Sequence, residues 1–290
     1  MVSPEPDIIK VEGFLPGKTI HTVIEPPKGW AALELSELWK FRELLFFLTW
    51  RDIKVRYKQT ALGAAWAILQ PLITMVIFTV IFGNLAKISS DDIPYPVFSL
   101  CALLPWNYFA GAFNRSSSSL VNSAHLISKV YFPRLVIPVS SLLVGLLDFV
   151  ITFPFLLGLM AWYHIVPTAV VLWIPVFLLM AVAVALGIGL WLGALNVQYR
   201  DIGHLTPFLI QIWMYLTPVV YPASLIPERW RLLYGLNPMV GVIEGFRWAL
   251  LGQGNAPGQM LVLSALATAV LLVSGAYYFQ RMERTFADVV

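Results

Sequence analysis

Six long apolar stretches constrain this chain more than any other feature of its sequence. A helix that crosses the hydrocarbon core of a bilayer needs about 20 apolar residues at 1.5 Å rise per residue. Qualifying stretches lie at roughly 61–85, 96–121, 135–161, 169–195, 203–222 and 259–280. Only 12% of the 290 residues are charged, about half the share that is usual in soluble domains. The sequence therefore predicts an all-α membrane protein with six transmembrane helices.

The stretch at 203–222 is the weakest of the six, because it is short and contains Thr206-Pro207 and Thr217-Pro218. The next segment, 223–257, is semi-apolar and is interrupted by prolines and glycines. This pattern predicts one or two short re-entrant helices that enter the membrane edge and turn back before the last span. Backbone that does not span is tolerated there only where protein or water satisfies its polar groups.

The chain divides into three parts by composition. Residues 1–35 are polar and punctuated by Pro and Gly, which predicts a cytoplasmic extension. In 36–60, apolar residues recur at helical spacing and cations follow, which indicates an amphipathic helix in the membrane interface. A soluble amphipathic helix is the alternative. The remainder, 61–290, is predicted to form the transmembrane domain.

The distribution of Lys and Arg predicts the orientation of the spans. Fourteen of the 19 lie on one predicted side of the membrane, nine of them before Ala61, and four lie on the other side. The cation-rich side is expected to be cytoplasmic, and it holds both termini. Attraction of cations to anionic headgroups explains this bias without a nucleic-acid partner, for which no basic arm is present.

Several enzyme classes lack their sequence signatures here. No phosphate-binding loop of the Gly-x-x-x-x-Gly-Lys-Ser/Thr type occurs, so the chain is not expected to hydrolyse ATP by itself. The four histidines are scattered without metal-ligand spacing, and Cys101 is the only cysteine. We therefore expect no catalytic residue, no metal site and no cofactor in this chain.

Two ionisable residues fall inside predicted spans, Arg115 in the second and Asp148 in the third. Charge within a membrane is costly and usually faces a partner or a water-filled cavity. Arg115, Ser116 and Asp148 are thus predicted either to form a structural ion pair with supporting hydroxyls or to line a polar path. Trp106, Tyr108 and Phe109 lie near the outer end of the second span. They are predicted either to pack or to stack on sugar rings.

The cytoplasmic loop 122–134 is short and amphipathic, and Pro133 ends it. Such a loop favours a short helix parallel to the membrane, which would dock into a groove on a soluble partner. An ordinary connector is the alternative.

Four stretches resemble one family, the permease subunits of ABC-2 type polysaccharide exporters for O-antigen, teichoic acid and capsule. The strongest is Trp50-Arg-Asp-Ile-Lys-Val-Arg-Tyr-Lys-Gln-Thr-Ala-Leu-Gly63. The others, in chain order, are Lys129-Val-Tyr-Phe-Pro-Arg134, Asn196-Val-Gln-Tyr-Arg-Asp-Ile202 and Leu236-Asn-Pro-Met-Val-Gly-Val-Ile-Glu-Gly-Phe-Arg247. Together they extend from about residue 36 to the C-terminus.

The resemblance implies a homodimer that pairs with two copies of a separate ATPase, which would bind ATP and Mg²⁺. A lipid-linked polysaccharide would pass through a channel between the protomers, across the bacterial cytoplasmic membrane. The interfacial helix and the first cytoplasmic loop would contact the ATPase. That role falls on Arg51, Lys54, His125, Leu126 and Lys129.

Three cations of the interfacial helix, Lys54, Arg56 and Lys58, are also placed to attract the pyrophosphate of the lipid-linked substrate. Simple anchoring to headgroups is the alternative. Three other functions compete with glycan export: export of a drug or lipid by the same topology, a membrane-embedded glycosyl- or acyltransferase, and a non-transporting scaffold. The transferase would need clustered acids or histidines, which the sequence lacks.

Overall fold

A computed structural model describes residues 35–58, 63, 65–252, 258–283 and 286. Within these ranges the ordered elements are helices and no strand occurs. In chain order they are α1 (Leu35–Lys40), α2 (Arg42–Lys58), α3 (Ala65–Phe78), α4 (Tyr95–Asn122), α5 (Ala124–Ile127), α6 (Val136–Trp162), α7 (Ile174–Gln198), α8 (Ile202–Tyr215), α9 (Glu228–Tyr234), α10 (Pro238–Leu251) and α11 (Gly258–Glu283). A π-helical segment, Thr79–Leu85, continues α3, and a 3₁₀ segment, Ala169–Trp173, precedes α7.

Five helical stretches of the described chain are long and apolar enough to cross a membrane. They are Ala65–Leu85, Tyr95–Asn122, Val136–Trp162, Ala169–Gln198 and Gly258–Glu283, and they match five of the six predicted spans. The predicted span 203–222 instead contains α8, which has 14 residues. At 1.5 Å per residue α8 is about 21 Å long, shorter than a hydrocarbon core of about 30 Å. Pro218 cannot donate a backbone hydrogen bond, and the helix ends before it.

The most buried of the five candidate spans is α4, which packs against α6 and α7. Glycines let these helices approach closely. A Cβ added at Gly189 would lie 2.3 Å from Ser116 Oγ, and one added at Gly187 would lie 2.8 Å from backbone atoms of Leu271 in α11. Small residues at helix contacts give close packing in membranes, where hydrophobic burial between helices supplies little.

Contacts between helices fix the direction in which each one runs. Trp191 Nε1 donates to Ser274 Oγ over 3.1 Å and Gly187 faces Leu271, so α7 and α11 run parallel. Asn196 near the end of α7 donates to the Ser117 carbonyl near the end of α4 over 3.0 Å. At the same end of the bundle, the Arg134 N–H donates to Glu283. The ends of α4, α7 and α11 therefore lie beside the start of α6.

The predicted re-entrant segment 223–257 contains two short helices, α9 and α10, at the opposite end of the bundle. Asn237 caps α10 by accepting from the Met239 N–H over 3.1 Å, and Pro238 occupies its first turn. Gly252 ends α10 in the left-handed conformation, with φ of 65°. Almost every side chain of α10 is buried, so this helix belongs to the core of the protomer.

The predicted interfacial helix 36–60 corresponds to α1 and α2, which are separated by a turn at Phe41. One apolar face of α2 packs on α6, and its Leu48 is 3% exposed. Phe46, Phe47 and Trp50 form a different apolar face, and they are exposed. Residues 59–62 and the predicted extension, apart from residue 35, lie outside the described ranges.

Candidate functional site

A charged cluster joins the C-terminal end of α2 to the middle of α6. Arg56 Nη2 lies 2.8 Å from Asp148 Oδ2, and the Tyr57 hydroxyl donates to Asp148 Oδ1. Burial, followed by the hydrogen bond to Asp148, raises the pKa of Tyr57 to about 12. The carboxylate thus accepts from two consecutive residues of α2, and these bonds connect α2 to a helix that is long and apolar enough to cross a membrane.

Arg115 belongs to the same cluster but does not form the predicted ion pair with Asp148. Its Nε donates to the Ser141 carbonyl in α6 over 3.1 Å, and its guanidinium interacts electrostatically with Arg56 and Asp148. Asp148 is instead paired directly with Arg56, which lies near the C-terminal end of α2. The sequence missed Arg56 as the partner, since 92 positions separate it from Asp148.

The aromatic residues predicted to contact sugar are buried inside the protomer. Trp106 and Tyr108 are each 3% exposed, and Phe109 is fully buried. Phe109 packs edge-on against Trp213 of α8, with ring centroids 5.1 Å apart. No face of these rings is open to a glycan in this arrangement of helices, so the packing alternative describes them here.

Ser116 is buried against Gly189, and its hydroxyl is without a hydrogen-bond partner within the described protein. The neighbouring serines bond to the backbone of their own helix: Ser117 and Ser118 donate to the Asn114 carbonyl, and Ser119 donates to that of Ser116. Such local bonds satisfy hydroxyls in a helix interior. The polar run of α4 therefore lies in a helix contact and does not line an open conduit in this structure.

The cations of α2 differ in their surroundings. Lys54 and Lys58 are exposed, and Lys54 Nζ lies 5.3 Å from the centroid of the Trp50 ring. Arg51 pairs with Asp52 over 2.8 Å on the same helix. Three cations were predicted to bind pyrophosphate. Arg56 is paired with Asp148, so Lys54 and Lys58 are the two whose charge faces the surface without that partner.

The predicted docking loop forms a short helix, α5, at the same end of the bundle as the start of α6. His125 and Lys129 are exposed, Leu126 is partly exposed and Ile127 anchors the loop in the protein. Tyr131 is 77% exposed and Val130 52% exposed. These two apolar side chains were not predicted as contact residues, although an exposed aromatic in a loop is an ordinary signal of an interface.

A buried ion pair lies at the opposite end of the bundle, and sequence reasoning gave it no role. Arg247 of α10 bonds to Glu244 over 2.9 Å and donates to the Val219 carbonyl over 3.1 Å. Its guanidinium carbon lies 3.7 Å from the centroid of the Phe98 ring in α4. These contacts hold the chain segment that follows α8 against α4 and α10.

No group of three or more His, Cys, Asp or Glu side chains in the described ranges is arranged to hold a metal ion. The described arrangement presents exposed cations on α2, a charged cluster that joins α2 to α6, and an exposed loop around α5.

Comparison with known proteins gives a family match. Residues 43–251 match the model of the ABC-2 type transporter family. The O-antigen export system permease protein RfbA of Myxococcus xanthus is 31% identical over 259 residues, which cover 88% of this chain and 98% of that protein. A protein of the same name from Klebsiella pneumoniae is 29% identical, with 86% and 95% covered. The polysialic acid transport protein KpsM of Escherichia coli is 26% identical, with 80% and 91% covered.

Proposed function

Because the chain belongs to the ABC-2 type transporter family, we propose that it is the permease subunit of an ATP-driven exporter of a lipid-linked polysaccharide. The observation that carries this proposal is similarity over nearly the whole chain to permeases named for O-antigen export. The absence of a phosphate-binding loop from the sequence fits a chain whose ATP and Mg²⁺ bind to a separate ATPase subunit.

The proposed topology is a multi-pass protein of the bacterial cytoplasmic membrane, with six crossings and both termini in the cytoplasm. Its support is the parallel course of α7 and α11. Two parallel helices require the chain between Gln198 and Gly258 to return once across the bundle. In this proposal α8 and the segment 216–222 make that crossing. The excess of Lys and Arg at the end that holds α2 and α5 supports a cytoplasmic position for that end.

The proposed assembly is a homodimer with a channel between its protomers. Its support is the amount of apolar surface that one protomer leaves exposed on two helices. Ile73, Val76 and Ile77 of α3 are about half exposed, as are Phe208 and Tyr215 of α8. Arg115 and Asp148 are half-buried in one protomer. The other proposed channel residues are buried, and a channel role for them requires the helices to separate: Trp106, Tyr108, Phe109 and Ser116.

The proposed coupling to the ATPase uses α2 and α5, through Arg51, Lys54, His125, Leu126 and Lys129. Force on α2 would reach α6 through the bonds from Arg56 and Tyr57 to Asp148. The exposed cations Lys54 and Lys58 would attract the pyrophosphate of the substrate, while Arg56 maintains the link to α6.

A deletion and complementation experiment tests the proposed function. The gene is deleted in its own host, and lipid-linked glycan is measured inside the cell and at the cell surface. If the chain exports the glycan, the deletion should raise the amount of lipid-linked glycan inside the cell and remove the surface glycan. The intact gene should restore both to normal. A host that still displays its surface glycan would refute the proposal.

Partner pairing is tested in the same host. An affinity-tagged permease should co-purify with an ATPase subunit, and replacing that subunit's phosphate-loop lysine should block export without releasing the permease. The alanine double variant of the docking loop, Tyr131→Ala with Val130→Ala, should lower co-purification. The exposed pair Val262→Ala with Val270→Ala, on α11, is the matched control. Retention of the ATPase by the docking-loop variant would place the contact elsewhere.

A further inference from the structure

An open crevice, here called the α8 crevice, lies between α8 and the helices α7, α9 and α11. Its volume is about 1140 Å³, larger than the ~300–1,000 Å³ of ordinary small-molecule sites. Its walls include Ile188 and Trp191 of α7, Ile212 and Leu216 of α8, Leu233 of α9 and Leu271 of α11. Nearly all of the lining is apolar.

The polar groups in the walls of the α8 crevice are already bonded to one another. Trp191 donates to Ser274, and Trp213 donates to Asn237 over 2.8 Å. At one end, the Tyr234 hydroxyl donates to the Tyr221 hydroxyl over 3.1 Å, and Tyr221 donates to the Tyr215 carbonyl. A polar ligand would find few free partners, and water is not held by walls of this kind. Hydrocarbon is the occupant that matches them.

Two arginines of α9 contact residues that line one end of the crevice, and this end is here called its mouth. Arg231 Nε donates over 3.1 Å to the carbonyl of Ile226, a lining residue, and its side chain is 41% exposed. Arg229 is exposed beside Trp230, which also lines the crevice. Glu228 lies 3.9 Å from Arg231 and is 91% exposed, and the two arginines against this one carboxylate leave a net positive charge at the mouth. Aromatic and cationic residues together are typical of the headgroup level of a membrane.

We infer that the α8 crevice binds a bilayer phospholipid, with an acyl chain between α8 and α11 and its phosphate at Arg229 and Arg231. This inference rests on the proposed topology, which puts α9 at the outer membrane surface. Charge complementarity at the mouth and the apolar walls below it match the two parts of such a lipid. An empty crevice would forfeit the dispersion contacts of its walls. The bound chain would support α8, which packs only sparsely on α4 and α7.

Lipid photolabelling tests this site. The permease, with its ATPase partner, is reconstituted in vesicles of phosphatidylethanolamine and phosphatidylglycerol that contain a trace of phosphatidylglycerol with a diazirine in one acyl chain. Exchange into detergent removes loosely held lipid before illumination. Labelled peptides should contain Ile212, Leu216 and Leu233 at several times the level found at Val262, Leu266 and Val270, which are exposed elsewhere on α11. Equal labelling of the two sets would overturn the inference.

Two matched substitutions on α8 sharpen the test, since Ile212 and Leu205 are both 42% exposed and only Ile212 lines the crevice. Ile212→Trp should reduce retained lipid about tenfold, which corresponds to about 1.4 kcal/mol of binding free energy. Leu205→Trp should leave it unchanged. Arg229→Gln with Arg231→Gln should lower labelling by the anionic probe several-fold and remove its salt dependence. Cross-links between two copies through Ile212 would show that a second protomer fills the crevice and would refute lipid binding.

Labelling requires neither glycan nor ATP, so its failure is distinguishable from failure of the proposed function. A host that exports glycan without this gene would refute the permease proposal, whereas selective labelling in the same preparation would still support the lipid site. Export that depends on the gene, together with uniform labelling, would refute only the lipid site.

Discussion

The neighbouring helices α3 and α4 differ in how much of their surface is buried inside the protein. In the most apolar 18 residues of the stretch Ala65–Leu85, 6% are buried inside the protomer, whereas 78% are buried in the corresponding part of α4. The less buried helix is the more apolar of the two. In water the order would be reversed, because burial follows hydrophobicity there.

The difference follows from what each helix offers to its neighbours. α4 carries Arg115 and a run of serines, and these groups require protein partners in a bilayer. Asn196 of α7 and the Ser141 carbonyl of α6 supply such partners. Apart from Gln70, the exposed side chains of α3 are apolar, and lipid or a second protomer satisfies them equally well. The polar groups of α4 therefore favour a position in the core of the protein, whereas α3 can remain at its periphery.

The largest effect is expected from removing the charge that is buried against α4. Arg247→Met should destabilise the protein by about 3–5 kcal/mol, because it leaves Glu244 without its ion-pair partner in a buried site. The Val219 carbonyl also loses its donor. Thermal unfolding in detergent measures the loss, and Arg229→Met, at an exposed arginine of α9, is the control. If both variants unfold at the wild-type temperature, burial around α4 does not govern stability.

A smaller effect is expected from replacing a leucine by alanine, and its size should differ between α4 and α3. Leu100→Ala in α4 should cost about 2–5 kcal/mol, because Leu100 is fully buried and a cavity remains. Leu69→Ala in α3 should cost much less, since Leu69 is 37% exposed and its surroundings can refill the space. Unfolding temperatures of the two variants in one detergent test this difference. Equal losses would show that the exposed face of α3 is covered by a tightly packed neighbour.

Much of the helical layout could be predicted from sequence, because the length of an apolar run reports directly on a membrane span. Five of the six predicted stretches became long helices, and their limits differ from the predicted ones by only a few residues. The stretch at 203–222 became the shorter α8, and the reason is also local: Thr217-Pro218 ends the helix early. What hydropathy cannot report is which apolar helix is inside the bundle, since lipid and protein interior have similar polarity.

The candidate site was harder to predict, because its partners are far apart in the chain. Arg115 and Asp148 were identified as membrane-embedded charges, and both lie in one cluster. The residues that complete it, Arg56 and Tyr57, belong to a helix predicted to lie on the membrane surface. Sequence separation hides such pairs, and nothing in the spacing of α2 shows how deep its end reaches. Phe109 likewise packs against Trp213 of α8, a contact between distant helices that periodicity does not encode.

The contact between α2 and α6 is less buried than the interior around α4 and more buried than the exposed face of α3. Its loss should have a modest local effect. Arg56 and Asp148 are partly exposed, with 39% and 21% of their side chains accessible. Asp148→Asn should therefore cost no more than about 1 kcal/mol. Hydrogen exchange should increase in α2 and stay unchanged in α4. Asp52→Asn, which removes an ion pair within α2, is the matched control. Faster exchange in α4 as well would mean that the cluster belongs to the core.

The smallest effect is expected from titration of Tyr57, at the edge of the same contact. Its pKa is raised to about 12 by burial and then by the bond to Asp148, against an ordinary value of about 10. A raised pKa in the folded state means that the contribution of the protonated hydroxyl is complete below pH ~10. It is lost as the pH rises through about 12.

Alkaline spectrophotometric titration isolates this group as the difference between the wild type and Tyr57→Phe. The phenolate difference signal should have its midpoint near pH 12, and in Asp148→Asn the midpoint should move part of the way back. Burial is the larger cause of the raised pKa and remains in that variant, so the return should be incomplete. A wild-type midpoint at the ordinary value would show that the end of α2 is open to water. The junction of α2 with α6 would then resemble the exposed face of α3 rather than the interior around α4.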